Sequence, residues 1–179
     1  LMVDVLKSFK KELPDTDDFQ NVAKEIPLIT KLIKDGYTGR KGKGGFYRIN
    51  KSNKYKVLEA INLETEKYSP SKKIDLKMDT VDIVGLINRE DKYGKYSWSV
   101  ISKIITYASS LVPGITDKFN DIDEAMRLGF NWAMGPFEML NEIGSKNFFE
   151  RLGQIKNNKF LENLSKSNEE NFYGKRQLY

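Results

Sequence analysis

The sequence is 179 residues long, enough for one large domain or two small ones with a real hydrophobic core, and it contains neither cysteine nor histidine. Their absence excludes disulfides, Cys or His zinc sites, thiol nucleophiles and the imidazole general base, so any catalysis would rest on carboxylates, lysines, tyrosines or serines. The net charge of +5 comes mostly from lysines spread among nearly as many acids, the pattern of a solvated surface; only Arg40 to Arg48 clusters basic residues with aromatics as nucleic-acid binding would require, so no nucleic-acid partner is expected.

In chain order, Leu1, Val5, Phe9 and Leu13 lie four apart and predict an amphipathic helix that Pro14 helps to end. Asp15, Asp17 and Asp18 form an acidic turn. Leu28, Ile29, Leu32 and Ile33 share one helical face, with Pro27 suited to the first turn and Gly36 to the stop. Tyr37 to Gly45 is glycine-rich and basic and reads as a loop, followed by an extended Phe46-Tyr47-Arg48-Ile49. From Asn50 to about Lys77 periodicity is weak, which predicts a linker holding at most a short strand at Tyr55–Leu58.

Helical spacing resumes with Val81, Val84 and Ile87 or Ile83 and Leu86, then strengthens in Trp98, Ile101, Ile104, Ile105, Ala108 and Leu111, the expected central buried helix. Asp121 is the expected N-cap of a short helix that Gly129 closes; Pro136 starts another that ends at Gly144, and Ser145 caps its successor. Phe160, Leu161 and Leu164 predict a last short helix. Trp98 and Trp132 read as core anchors. Strand signals are sparse, so the expected class is all-α with minor extended segments. No apolar run approaches the roughly 20 residues needed to cross a bilayer, and no basic-then-apolar export signal opens the chain, so a cytoplasmic protein without a membrane span is expected.

Gly39-Arg40-Lys41-Gly42-Lys43-Gly44-Gly45 suggests an anion cradle, but Gly42-Lys43 is followed by Gly44 instead of Ser or Thr, and Tyr47 stands where a dinucleotide fingerprint needs glycine. Both motifs also need a strand before and a helix after. A sharp turn lifting an aromatic pair onto a core is the structural expectation. Neither the Asp15 cluster nor Asp117, Asp121, Asp123 and Glu124 has the glycine and terminal glutamate of a calcium loop, and helix starts explain them better. Glu138 and Glu142 are one turn apart but have no partner chemistry in the sequence. No catalytic, cofactor or metal residue is therefore assigned.

The segment Asn120–Leu140 has a further quality. Its Asp121-Ile122-Asp123 helix, Gly129-Phe130-Asn131-Trp132 turn and Gly135-Pro136-Phe137-Glu138 opening resemble the signature of the 3-hydroxyacyl-CoA dehydrogenase C-terminal domain. Gly44-Gly45-Phe46-Tyr47 resembles the ending of the same domain, and Asn171-Phe172-Tyr173, followed by Gly174, Lys175 and Arg176, echoes it. The chain departs from the family at Asn141, often Asp there. The Gly129-Phe130-Asn131-Trp132 form of the turn resembles that of long bacterial members that join a dehydrogenase unit to an enoyl-CoA hydratase unit and carry this helical domain twice. The resemblance implies tandem helical domains: residues 1–49 the end of a truncated first copy, 50–78 a linker and 79–179 a second copy.

It also implies a function in fatty-acid β-oxidation, completing an acyl-CoA cleft and supplying association surfaces, including those of a homo-oligomer. The family's NAD-binding Rossmann domain and its His–Glu pair are not in this sequence, so NAD belongs to the full-length enzyme and the chain alone is expected to be inactive. The basic loop then offers a CoA-phosphate contact from Arg40, Lys41 or Lys43. The alternative is a non-catalytic interaction or scaffold remnant of such an enzyme.

Overall fold

The computed structural model describes residues 2–52, 55–73, 82–155, 158–167 and 173, and the chain divides into two units, Leu1–Lys77 and Met78–Tyr179. Leu1, Val81 and five of the six residues of the second aromatic echo lie outside the described residues.

In the first unit, α1 (Met2–Glu12) runs to the Leu13-Pro14 break, and Phe9 meets Phe19 edge to face at 5.6 Å. The acidic turn opens a four-residue helix, α2 (Phe19–Val22): the Asp17 carboxylate accepts the Phe19 N–H at 2.8 Å. Gln20 donates its amide to the Lys10 and Leu13 carbonyls, so α2 satisfies carbonyls that the end of α1 leaves open. In α3 (Pro27–Lys34) Pro27 fills the first turn, Leu32 is buried and Gly36 follows at φ +83.

Beyond the glycine loop, β1 (Tyr47–Asn50), β2 (Val57–Ile61) and β3 (Tyr68–Pro70) form an antiparallel sheet in the order β1-β2-β3, with Ile49 opposite Leu58 and Ala60 opposite Ser69. β1 falls on the segment expected to be extended, and β2, which overlaps the short strand expected at Tyr55–Leu58, lies with β3 in the stretch expected to be a linker. The strands of the sheet are short, and its faces are inverted relative to the pattern that sequence reasoning looks for. Arg48, Asn50, Glu59 and Tyr68 share the covered face, while Tyr47, Ile49 and Leu58 point the other way and stay exposed.

The second unit is helical among its described residues: α4 (Ile83–Ile87), α5 (Lys92–Ser110), α6 (Phe119–Phe130), α7 (Pro136–Ile143), α8 (Ser145–Leu152) and α9 (Lys159–Ser167). Asp82 caps α4 through the Gly85 N–H, and Asp91 caps α5 through Tyr93 and Gly94. Ile87, Ile105, Leu140, Ile143, Phe148, Leu161 and Leu164 make one core, with Trp98 packed against it and tilted on Phe148 at 5.5 Å. Asn158 is buried where α9 begins: its side-chain oxygen accepts the Leu161 N–H and its amide donates to the Thr106 carbonyl, both at 3.0 Å, fastening α9 to α5.

Three local expectations are corrected. Helix α6 begins at Phe119, two residues before Asp121, because the Phe119 ring packs at 5.3 Å on Phe137 and 5.8 Å on Phe160; Asp121 sits in the first turn and accepts the Thr116 hydroxyl. Gly129 stays helical, and the left-handed stop is Asn131 at φ +56, a conformation that asparagine tolerates. Ser145 is the first residue of α8, with Gly144 at φ +82 before it.

Candidate functional site

The residues of the α6–α7 signature converge. Gly135, at the N-cap of α7, has no side chain to cap it; the cap comes from α6 instead, where Asp123, fully buried, accepts the N–H of Phe137 at 2.9 Å and of Glu138 at 2.9 Å. The geometry dictates the glycine. A Cβ on Gly135 would stand 2.3 Å from the Asp123 carboxylate and 2.4 Å from its Cα. Glu138 reaches back to the Gly135 N–H at 2.8 Å and pairs with Arg127 at 3.2 Å, so both carboxylates answer the positive end of α7.

Tyr173 closes this junction from the far end of the sequence. Its backbone N–H meets the Asn141 side chain at 3.4 Å, its ring meets Phe119 edge to face at 5.5 Å, and its hydroxyl bonds the Asp123 carboxylate. Burial, and then the bond to Asp123, holds the Tyr173 phenol well above its ordinary range. Burial likewise raises the Asp123 carboxyl, against the pull of its N–H and hydroxyl donors. Pro136 and Phe137 are buried beside them, whereas Glu142 is exposed, so Glu138 and Glu142 do not form a pair. Every polar group here is engaged in joining helices. Asn141 takes its part as an acceptor, for which the charge of an aspartate is not required.

In the first unit the loop from Gly36 to Gly45 turns back on itself. Gly39 and Gly44 form an isolated bridge, Gly42 donates to the Gly39 carbonyl and Lys43 to the Gly36 carbonyl, and Gly45 donates to Tyr47. A Cβ at Gly42 would meet the Thr38 hydroxyl at 2.5 Å, and Gly44 lies at φ +123. These N–H groups are spent inside the loop, and the loop runs from a helix into a strand, so it does not fit the pyrophosphate of NAD. Arg40 and Lys41 are exposed, while the Lys43 ammonium donates to the Asp35 carbonyl at 3.0 Å.

The aromatic pair does not reach a core. Phe46 is 41% and Tyr47 60% exposed; the loop rests instead on Tyr37, stacked on Tyr68 at 5.5 Å, whose hydroxyl bonds the Gly45 carbonyl. Arg48 lies 4.0 Å over the Tyr68 ring and binds Glu59 at 2.7 Å and the Tyr37 hydroxyl at 3.0 Å. Sequence reasoning missed this group because its members come from four separate places in the chain.

The second unit also has a cavity of about 420 Å³ between α4, α5, α7 and α8, floored by Val84, Ile87, Trp98 and Ile143. Arg151 also lines it, 4.4 Å over Trp98 and bonded to the Asn88 side chain. Among the described residues there is no cluster of Asp and Glu suited to a metal, and no helix is long and apolar enough to cross a membrane.

Residues 99–171 match the family model for the 3-hydroxyacyl-CoA dehydrogenase C-terminal domain. The chain is similar to a putative fatty acid oxidation complex trifunctional enzyme of Rickettsia felis, 39% identical over 141 residues that cover 76% of this chain and 19% of the relative. It resembles the protein of that description from Rickettsia prowazekii at 37% over 148 residues, 80% of this chain and 20% of the relative. A probable 3-hydroxyacyl-CoA dehydrogenase of Bacillus subtilis is 30% identical over 144 residues, 77% of this chain and 18% of the relative. The chain thus spans about a fifth of the length of these curated relatives. No solved structure matches it.

Proposed function

We propose, from the match of residues 99–171 to the family model for the 3-hydroxyacyl-CoA dehydrogenase C-terminal domain, that the chain is the helical C-terminal region of an NAD-dependent 3-hydroxyacyl-CoA dehydrogenase of fatty-acid β-oxidation. Its task is to complete the acyl-CoA cleft and to carry association surfaces, with the His–Glu pair and NAD held by a nucleotide-binding domain and an enoyl-CoA hydratase domain as a further partner. The observation that carries this reading is the Asp123 clasp: the signature of the family is spent on fixing α6 to α7, with its carboxylates turned to backbone N–H groups and Arg127. A rigid frame of this kind positions chemistry performed elsewhere.

Two observations support a tandem organisation, with residues 1–49 the end of a first copy, 50–78 joining it to the second and 79–179 the second. Helix α1, helix α3 and Phe46-Tyr47 follow one another as α8, α9 and Phe172-Tyr173 do. Furthermore, Val5, Phe9 and Ile33 on α1 and α3 are partly exposed, whereas Phe148, Leu161 and Leu164 on α8 and α9 are buried against α5 and α7. Leu128 and Phe130, exposed at the end of α6, are an association surface in this reading. Arg40 and Lys41, with Lys43 as a tethered neighbour, are the groups assigned to the CoA phosphates.

The test is enzymatic. The purified chain should give no NAD-linked oxidation of 3-hydroxyacyl-CoA, and activity should appear when the matching nucleotide-binding domain is added. Turnover by the chain alone would overturn the division of labour. Binding of CoA itself should weaken with salt and in the Arg40→Ala, Lys41→Ala variant; unchanged binding would remove the phosphate assignment.

A further inference from the structure

We propose that Phe46 and Tyr47 are a docking plug for a helix pair of the α6–α7 kind, outside this chain, that presents a buried aspartate and a Gly-Pro-Phe opening to the Tyr47 hydroxyl. The proposal rests on the tandem reading above and adds to it a named surface and occupant.

Tyr173 in the second unit shows what a tyrosine does when such a pair is present. Tyr173 pins its backbone to Asn141 on α7, packs its ring on Phe119 of α6 and gives its hydroxyl to Asp123, whose other bonds cap α7. Phe119 in turn lies on Phe137 and Phe160, so one aromatic stack and one carboxylate receive the tyrosine. A phenol suits this place because it joins an apolar body to a donor that a buried carboxylate needs.

In the first unit the tyrosine is there, and among the described residues of that unit no such helix pair receives it. Tyr47 lies on the open face of the sheet beside Ile49 and Leu58, which are 54% and 51% exposed, with Phe46 next to it; the opposite face is already filled by Arg48, Glu59, Tyr37 and Tyr68. A second copy of this chain is not the occupant, since its Asp123 is already held by Tyr173. The connection sets where the pair belongs: α7 passes through Gly144 straight into α8, so a pair serving the first unit would stand directly before α1. The relatives, about five times as long as the matched region, have room for it.

The experiment is to graft a second copy of residues 116–144 in front of Leu1 of the full chain and to follow nitration of Tyr47 by tetranitromethane, with Tyr47→Phe identifying the product. Docking should slow nitration about tenfold or more, as expected for a closed site that reacts only when it opens. An Asp123→Asn change made in the grafted copy alone should restore the rate. If the graft gains helix and covers Val5 and Phe9 while Tyr47 reacts as before, the plug is wrong and the duplication stands. If the graft stays unfolded, both fall. Should the fusion be insoluble, the 116–144 peptide added to the unmodified chain gives the same measurement, and unaltered nitration at saturating peptide overturns the proposal.

Discussion

Replacing Gly135 by alanine should be among the most damaging single-methyl changes in the second unit. Gly135 sits at φ −80, which any residue can adopt, so the effect is steric and not conformational. The new Cβ would fall 2.4 Å from the Asp123 Cα and Cβ, far inside contact distance and against backbone that cannot rotate away. Relief requires α6 to move off α7, which lengthens the two N–H bonds to Asp123. Overpacking costs about 1–3 kcal/mol and weakening bonds to a charged acceptor about 1.5–3 kcal/mol, so a loss of roughly 3–5 kcal/mol is expected, a large share of the about 5–15 kcal/mol that holds a typical domain. Thermal unfolding should show Tm lower by at least about 12 °C for a unit of this size. Gly129→Ala is the internal control. That glycine is helical and exposed, with nothing within 4 Å of a new Cβ, so alanine should stabilise by about 0.5–1 kcal/mol through helix propensity. If the two variants unfold alike, within about 0.5 kcal/mol, the clasp geometry is refuted.

Tyr173→Phe removes one donor from Asp123 and should cost about 1–2 kcal/mol near neutral pH. Because the lost hydroxyl favours the ionised carboxylate, that cost should shrink as pH falls through the raised Asp123 pKa; urea titrations at pH 7 and pH 4 that gave the same difference would contradict it. The Asp91 pKa is shifted the other way, downward, while the pH trend keeps the same sign. The Arg89 guanidinium and the Gly94 and Tyr93 N–H groups hold it at about 2, below the ordinary 3.8, so its capping contribution is complete above about pH 4 and disappears as pH falls toward 2. Hydrogen exchange at the start of α5 should accelerate across that window in the native chain and show a flatter dependence in Asp91→Asn. In the first unit, Arg48→Met leaves Glu59 with Asn50 as its remaining described partner and should destabilise the sheet by about 1–3 kcal/mol, read from exchange of the β2 amides. Unchanged protection would mean that the pair contributes nothing to the sheet.

Local chemistry fixed what was legible in the sequence. Pro27 and Pro136 mark helix starts, Gly36 and Gly144 mark ends, and the spacing of Ile101, Ile105 and Ala108 announces the central helix, because each signal acts within one or two turns of its own residue. The Gly-Pro-Phe-Glu signature was legible too, as a resemblance. What it does was not. Asp123 appears in sequence as one more acid near a helix start; only the tertiary structure reveals that it caps a different helix, 14 and 15 residues on, and that this is why position 135 has no side chain. The Asn158 tie to Thr106 spans 52 residues and leaves no periodic trace. Extended pieces at Phe46–Ile49 and Tyr55–Leu58 were legible, but their assembly with β3 was not, because the covered face is built from Arg48, Glu59 and Tyr68, which satisfy one another only once three strands and the Tyr37 loop are brought together. Hydrophobic periodicity reports burial that each element achieves on its own face; polar groups that are buried because they pair across elements are decided by the tertiary structure alone.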